Sequence, residues 1–138
     1  MGLDISHDAW SGAYSAFGRW RAKIAELAGF PPLGLMEGFY SPISQLYGER
    51  WEDRMPLKWE DLHQPDLRLV PLLSHSDCDG ELSVNELKEI VPALKSLLPK
   101  LQELGDAHGH IRNWHDKTVQ FIEGAELAIA NDEPLEFH

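Results

Sequence analysis

The sequence predicts a single α-rich α+β domain over residues 1–138, and three observations lead there. The first is size. A chain of 138 residues, 43% hydrophobic and 25% charged, is enough for one core and buries roughly two-thirds of its unfolded surface. The second is a set of three stretches with helical apolar spacing, each bounded by start and stop residues. The third is a pair of short alternating segments at the two ends, which suit strands.

Taken in order, Gly2-Leu3-Asp4-Ile5-Ser6 alternates with Leu3 and Ile5 on one face and reads as a strand. From Asp8, a good N-cap residue, Trp10, Ala13, Tyr14, Phe17, Ile24 and Leu27 recur at helical spacing until Gly29 and Pro31-Pro32 stop the pattern. Gly12 and Gly18 inside that helix each cost about 1 kcal/mol against alanine, which predicts close packing on that face. Residues 31–71 hold six of the nine prolines together with Phe39, Tyr40, Tyr47, Trp51 and Trp59. So many rings have apolar area to bury, so the segment reads as ordered and irregular, with a helical turn at Ile43 to Tyr47 and a short helix or strand through Leu67 to Leu73.

Ser83-Val-Asn-Glu86 fits a capping box, and Leu87, Ile90, Val91, Leu94, Leu98 and Leu101 carry a second helix to Gly105. Pro92 and Pro99 are expected to kink or divide it. A third helix runs from His110 to Ala130, with Ile111, Trp114, Thr118, Phe121, Ile122, Ala125 and Ile129 on one face and Asn131 in its C-terminal turn. The closing Leu135-Glu136-Phe137-His138 alternates again. Pairing of the N- and C-terminal strands into a short sheet is the expected way to tie the ends down.

Twelve basic against 23 acidic residues give a net charge of −11. That field repels phosphate backbones and argues against sequence-independent nucleic-acid binding. Cys78 is the lone cysteine, so no disulfide forms within the chain. The N-terminus carries early acids instead of a secretory apolar run, and no stretch has transmembrane length, so the chain reads as cytosolic with no membrane partner. Its oligomeric state is open.

The informative stretch is His75-Ser-Asp77-Cys-Asp79-Gly80-Glu81-Leu82-Ser83-Val-Asn-Glu86. Aligned on the glycine, it resembles the twelve-residue calcium loop of the EF-hand family: Asp77 stands third, Asp79 fifth, Gly80 sixth, Glu81 seventh through its carbonyl, Leu82 eighth, Ser83 ninth and Glu86 twelfth. Alternate carboxylates on a curving loop converge, the glycine permits the sharp turn, and Glu86 closes the shell from the following helix. The resemblance covers one helix-loop-helix, with no second loop to pair with it. At the first position the family has aspartate and this chain has His75. Oxygen ligands favour calcium, whereas an imidazole at that place suits zinc or manganese. The metal candidates are therefore His75, Asp77, Asp79, Glu81 and Glu86, with calcium favoured. The same residues also read as a solvated acidic turn followed by a helix cap. Cys78 falls at an outward-pointing position and is expected neither to ligate nor to catalyse.

Asp4 and His7, with Asp8, form a second constellation. If the terminal strands pair, His138 comes near, and Asp4, His7, His75, Asp77 and His138 become a possible mixed nitrogen and oxygen site. The opposing reading makes Asp8 a cap and leaves His7 and His138 on the surface. His108, His110, His115 and Asp116 read chiefly as a solvated helix start, with a metal site as the alternative. The His-Asp pairs at His7-Asp8 and His115-Asp116 are similar to those of metal-dependent phosphohydrolases, but the spacing to further ligands does not fit. The stretch Trp10 to Arg21 reads as a core stripe, with a nucleotide pocket of rings and guanidinium groups as its alternative.

Met1 to Phe17, His75-Ser-Asp-Cys-Asp-Gly-Glu-Leu82, Phe121-Ile-Glu-Gly and Leu135-Glu-Phe-His138 together resemble a family of small bacteriophage and prophage proteins. The resemblance implies action in a bacterial cytoplasm, against host machinery or a host defence, and supplies no reaction. The expectation is a phage accessory protein that binds a divalent cation and acts by binding, sequestering a small anionic ligand or blocking a host protein. The alternative is metal-dependent hydrolysis of a nucleotide phosphoester. Catalytic residues are not assigned.

Overall fold

The chain opens with a hairpin that turns on His7 and Asp8, whose φ angles are 61° and 59°. The Ala9 N–H donates to the Ser6 carbonyl at 3.2 Å, closing a tight turn of the handedness that suits twisted strands. Strand β1, Gly2–Ile5, thereby pairs antiparallel with β2, Trp10–Ala13, with Ile5 opposite Trp10. The expected helix start at Asp8 is corrected. Helix α1 spans Tyr14–Leu27 and follows Ala13 with no side-chain cap. Aspartate serves left-handed turns as well as caps, and here the turn lets Trp10 be buried from a strand. At its far end α1 closes on Gly29, φ 89°, with Phe30 N–H on the Ala25 carbonyl at 2.9 Å and Gly29 N–H on that of Glu26, the paired bonds of a Schellman end.

The computed structural model describes residues 2–39 and 56–138. The helical turn expected at Ile43 to Tyr47 lies outside them. On either side the chain is irregular, as the prolines predict, with 3-10 turns at Leu33–Leu35, Trp59–Asp61 and Leu67–Leu69. A parallel bridge joins Met36 and Leu57. The last turn leads into α2, Val70–Leu73.

Beyond a loop and the short β3, Glu81–Leu82, the helix α3 runs unbroken over Val84–Leu104. Pro92 and Pro99 do not divide it. The two N–H bonds they lack would have ended on the carbonyls of Lys88 and Lys95, and all four residues lie on the exposed side, where water takes the place of the missing donors. The capping box forms as read: Ser83 Oγ accepts from Glu86 N–H at 3.2 Å and Glu86 Oε1 from Ser83 N–H at 2.9 Å. Helix α4 spans Trp114–Ala130. Its expected first turn at His110 is instead a 3-10 turn, Gly109–Ile111, separated from α4 by Arg112 at φ 65°.

Strand β4, Leu135–Glu136, pairs with β3. The chain ends are also joined: Ile5 bridges Phe137, Asp4 and His138 exchange backbone bonds at 3.2 and 2.8 Å, and Ser6 N–H reaches the Glu136 carbonyl. Each terminal strand thus touches the other while keeping a second partner. Among the described residues the fold is helix-rich α+β, with two small antiparallel sheets and α3 packed along α4. Its core gathers Trp10, Phe17, Trp20 and Phe121, with successive ring centroids 5.1 to 5.8 Å apart, an arrangement favourable beyond area burial alone. Trp20 Nε1 donates to the buried Thr118 Oγ1 at 2.9 Å. Among the described residues, no helix is long and apolar enough to cross a membrane.

Candidate functional site

The acidic loop hangs between α2 and β3, and its base is a buried arginine. Arg21, on α1 and 1% exposed, donates through Nη1 to the carbonyls of Leu72, Leu73 and His75. Its guanidinium lies 4.6 Å from the Phe17 ring centroid and 5.1 Å from that of Phe39. The Leu72 and Leu73 carbonyls are free at the C-terminal end of α2, which a cation satisfies, and that of His75 lies two residues beyond that helix. Burial lowers the Arg21 pKa from the ordinary arginine value to about 10, and Asp77 acts in the opposite direction.

Within the loop, Ser76 Oγ accepts the N–H groups of Cys78 and Asp79 at 3.2 and 3.4 Å. Gly80 turns the chain at φ 91°, and a side chain there would lie 3.3 Å from the His75 ring. Leu82 is fully buried, and the Gly80 carbonyl accepts from Phe137 N–H at 2.9 Å. On its far side the loop runs into β3, which β4 flanks antiparallel.

The side chains are arranged differently. His75 stacks on Phe137, centroids 4.2 Å apart. Its Nδ1 lies 2.8 Å from the Ser76 carbonyl oxygen and its Nε2 2.9 Å from that of Glu81. A neutral ring donates to one of these acceptors and the imidazolium to both. Asp77, Asp79 and Glu81 are exposed, and Glu86 is engaged in the capping box. Cys78 is exposed, with Sγ 3.4 Å from Ser76 Oγ.

His7 places Nε2 3.0 Å from Glu133 Oε1 and Nδ1 3.0 Å from Ser6 Oγ. Asp4 meets His138 through backbone only. Among the described residues, no group of three His, Cys, Asp or Glu side chains is gathered as a metal site.

The histidines before α4 are built into the fold. His110 Nδ1 accepts the Ala13 N–H at 2.7 Å, the His108 carbonyl accepts from Arg19, and His115 Nδ1 is 3.1 Å from Asp116 Oδ1. Trp10, Phe17 and Trp20 are core residues, as the stripe reading holds. Gly12 lies under His110, where a Cβ would come within 2.9 Å of the histidine Cβ, whereas Gly18 faces open space. The close packing expected at both glycines occurs at Gly12 alone.

Two concavities flank the segment 107–113. One, of about 490 Å³, is lined by Ser11, Gly12, His110, Arg112, Lys117 and Gln120, with Ile111, Asn113 and Asp116. The other, of about 410 Å³, lies among Arg19, Lys23, Glu26, Asp106, His108 and Trp114. Lys117 in the first is 8% exposed, its Nζ donating to the Ser11 carbonyl at 3.1 Å and standing 4.4 Å from the Trp10 ring centroid. Burial first, then Arg112, lowers its pKa, and Asp8 opposes them.

Sequence reasoning passed over Lys117 and Arg112. The available signal was that Lys117 falls three residues after Trp114 and four before Phe121, on the apolar stripe of α4. No protein-family model, curated protein or solved structure matches the chain.

Proposed function

We propose that the chain acts by binding, as a phage accessory protein of the bacterial cytoplasm, and that the loop from His75 to Glu86 takes a divalent cation, calcium by preference. The observation that carries this reading is the backbone path: α2, the sharp turn at Gly80, β3 at the seventh and eighth places, buried Leu82, and Glu86 in the first turn of α3. The His75 ring bonds the Glu81 carbonyl, which is the backbone oxygen a cation in such a loop would use. His75 thus holds the loop closed in place of an ion. Admission of calcium requires that ring to leave, Asp77 and Asp79 to turn inward, and Glu86 to give up its cap, worth about 1 kcal/mol. The buried Arg21 charge behind His75 opposes the ion as well. Both effects set the affinity toward the weak end known for such loops, with Kd about 10⁻⁴ to 10⁻³ M.

Thermal melting of the purified chain in chelator, calcium, zinc and manganese tests the reading. A cation bound by the native state alone raises Tm with its concentration. The rise is expected for calcium, is lost in the Asp77→Asn/Asp79→Asn double variant, and is larger in His75→Asp, which restores an oxygen ligand. Identical curves under all four conditions would remove the cation from the account. Metal-dependent release of product from a nucleotide, lost on changing His7 or His75, would establish the hydrolase instead.

A further inference from the structure

We infer that the concavity formed by β2, the turn at 109–113 and the first turns of α4 binds a small oxyanion, a phosphate carried on a ligand of mononucleotide size. The inference stands apart from the cation loop and shares no residue with it.

Charge is the first ground. The chain carries −11 overall, yet this concavity brings together the cations Arg112 and Lys117, with His110, Ser11, Asn113 and Gln120 as further polar lining. Asp116 is the lining carboxylate, and His115 lies 3.1 Å from its Oδ1. Asp8 is also close enough to act on Lys117. Among the described residues neither Arg112 nor Lys117 has an ion-pair partner. Lys117 is 8% exposed as a residue, and its ammonium, held by the Ser11 carbonyl and the Trp10 ring, neighbours the Arg112 guanidinium with no carboxylate bonded to either, an arrangement that an entering anion would relieve.

Backbone geometry is the second. Arg112 has φ 65° and ψ −62°, and the Asn113 N–H donates to the Ile111 carbonyl at 2.7 Å across it. This is the strained, positive-φ γ-turn, which glycine enters readily and arginine does not. The chain keeps a long cationic side chain where its backbone disfavours one. Strain of this kind concentrates at ligand sites.

The walls agree. His110 Nδ1 is taken by the Ala13 N–H, so the neutral ring carries its proton on Nε2 as a donor. Gly12 leaves room for that side chain against β2. A volume of about 490 Å³ matches a small-molecule site. The strongly acidic remainder of the surface would repel a polyanion, so a mononucleotide or free phosphate is the occupant and a nucleic-acid strand is not.

Titration calorimetry in chelator at fixed ionic strength, with inorganic phosphate and adenosine monophosphate as probes, tests the site. Both should bind, and Arg112→Gly should weaken each by about ten- to hundredfold, the range for one charged hydrogen bond. Glycine fits the γ-turn, so this variant folds and its loss of affinity cannot be laid to unfolding. Lys117→Met should weaken binding similarly, and Lys23→Gln, in the other concavity, should leave it unchanged. Tighter binding of the nucleotide would assign the remaining volume to a nucleoside, and equal binding would assign the site to the free oxyanion. Failure of the wild-type chain to bind either probe, or undiminished affinity in Arg112→Gly, would overturn the proposal. Because chelator is present throughout, neither result bears on the cation loop.

Discussion

Gly124→Ala tests how closely α4 lies on the hairpin turn between β1 and β2. A methyl built at Gly124 would stand 2.6 Å from Ala9 Cβ and 2.7 Å from its Cα, against an ordinary carbon–carbon separation of about 3.5–4.0 Å. In favour of alanine are about 1 kcal/mol of helix propensity and about 0.8 kcal/mol for one more buried carbon. Against it is overpacking of about 3 kcal/mol, the top of the usual range because neither neighbour has a rotamer to change. Moving α4 outward also endangers the bond from Gln120 to the Asp8 carbonyl, 3.0 Å, worth about 1 kcal/mol. The balance is a loss of about 2 kcal/mol, or about 7 °C in Tm for a chain this size. Thermal melting and urea midpoints at constant m measure it. Ala9→Gly in the same chain removes the opposing methyl, but the backbone of residue 9 still crowds the added carbon, so the double variant should recover only part of the loss. A Gly124→Ala chain that melts at or above wild type would refute the packing.

Thr118→Val keeps shape but leaves Trp20 Nε1 unpaired in the core, and the urea midpoint should fall by about 1–3 kcal/mol of stability. Glu86→Gln separates cap from ligand: glutamine still completes the capping box, so melting in chelator should be unchanged while stabilisation by calcium disappears. Lys117 has its pKa held below the ordinary 10.5 by burial. Between the lowered value and 10.5 the unfolded chain binds more protons, so this lysine makes stability rise with pH across that window. In Lys117→Met that contribution should vanish when urea midpoints are followed toward pH 10.5, whereas the contribution of Arg21, common to both chains, cancels in the difference.

The elements that could be read locally were those whose signal has a single structural outcome. Ser83 and Glu86 form the capping box because two reciprocal bonds at fixed offset have no competing use. Asp8 was ambiguous, since the short side chain that caps a helix also tolerates positive φ, and the fold used the second property. Trp10 and Ala13 satisfy both a helical period and a strand. Pro92 and Pro99 leave the helix intact because their missing bonds face water. At the acidic loop the offsets were legible, whereas the engagement of the His75 ring with the Glu81 carbonyl depends on Phe137, which lies 62 positions farther along. The anion pocket is assembled from residues 11–12 and 110–120, and its only local trace is a lysine on an apolar stripe.

The joining of residues 4–6 to 136–138 bears on how the chain is made. The Ser6 Oγ accepts from the Glu136 N–H across 130 positions, and Trp20 meets Phe121, which is synthesised 101 residues later. During vectorial translation the hairpin and α1 therefore emerge with Trp10, Phe17 and Trp20 uncovered, and they remain so until α4 leaves the ribosome. Closure over such separations is slow because loop entropy must be overcome before contacts compensate it. Until that closure the nascent chain carries an exposed aromatic face, a surface that chaperones bind and that favours aggregation when expression is fast.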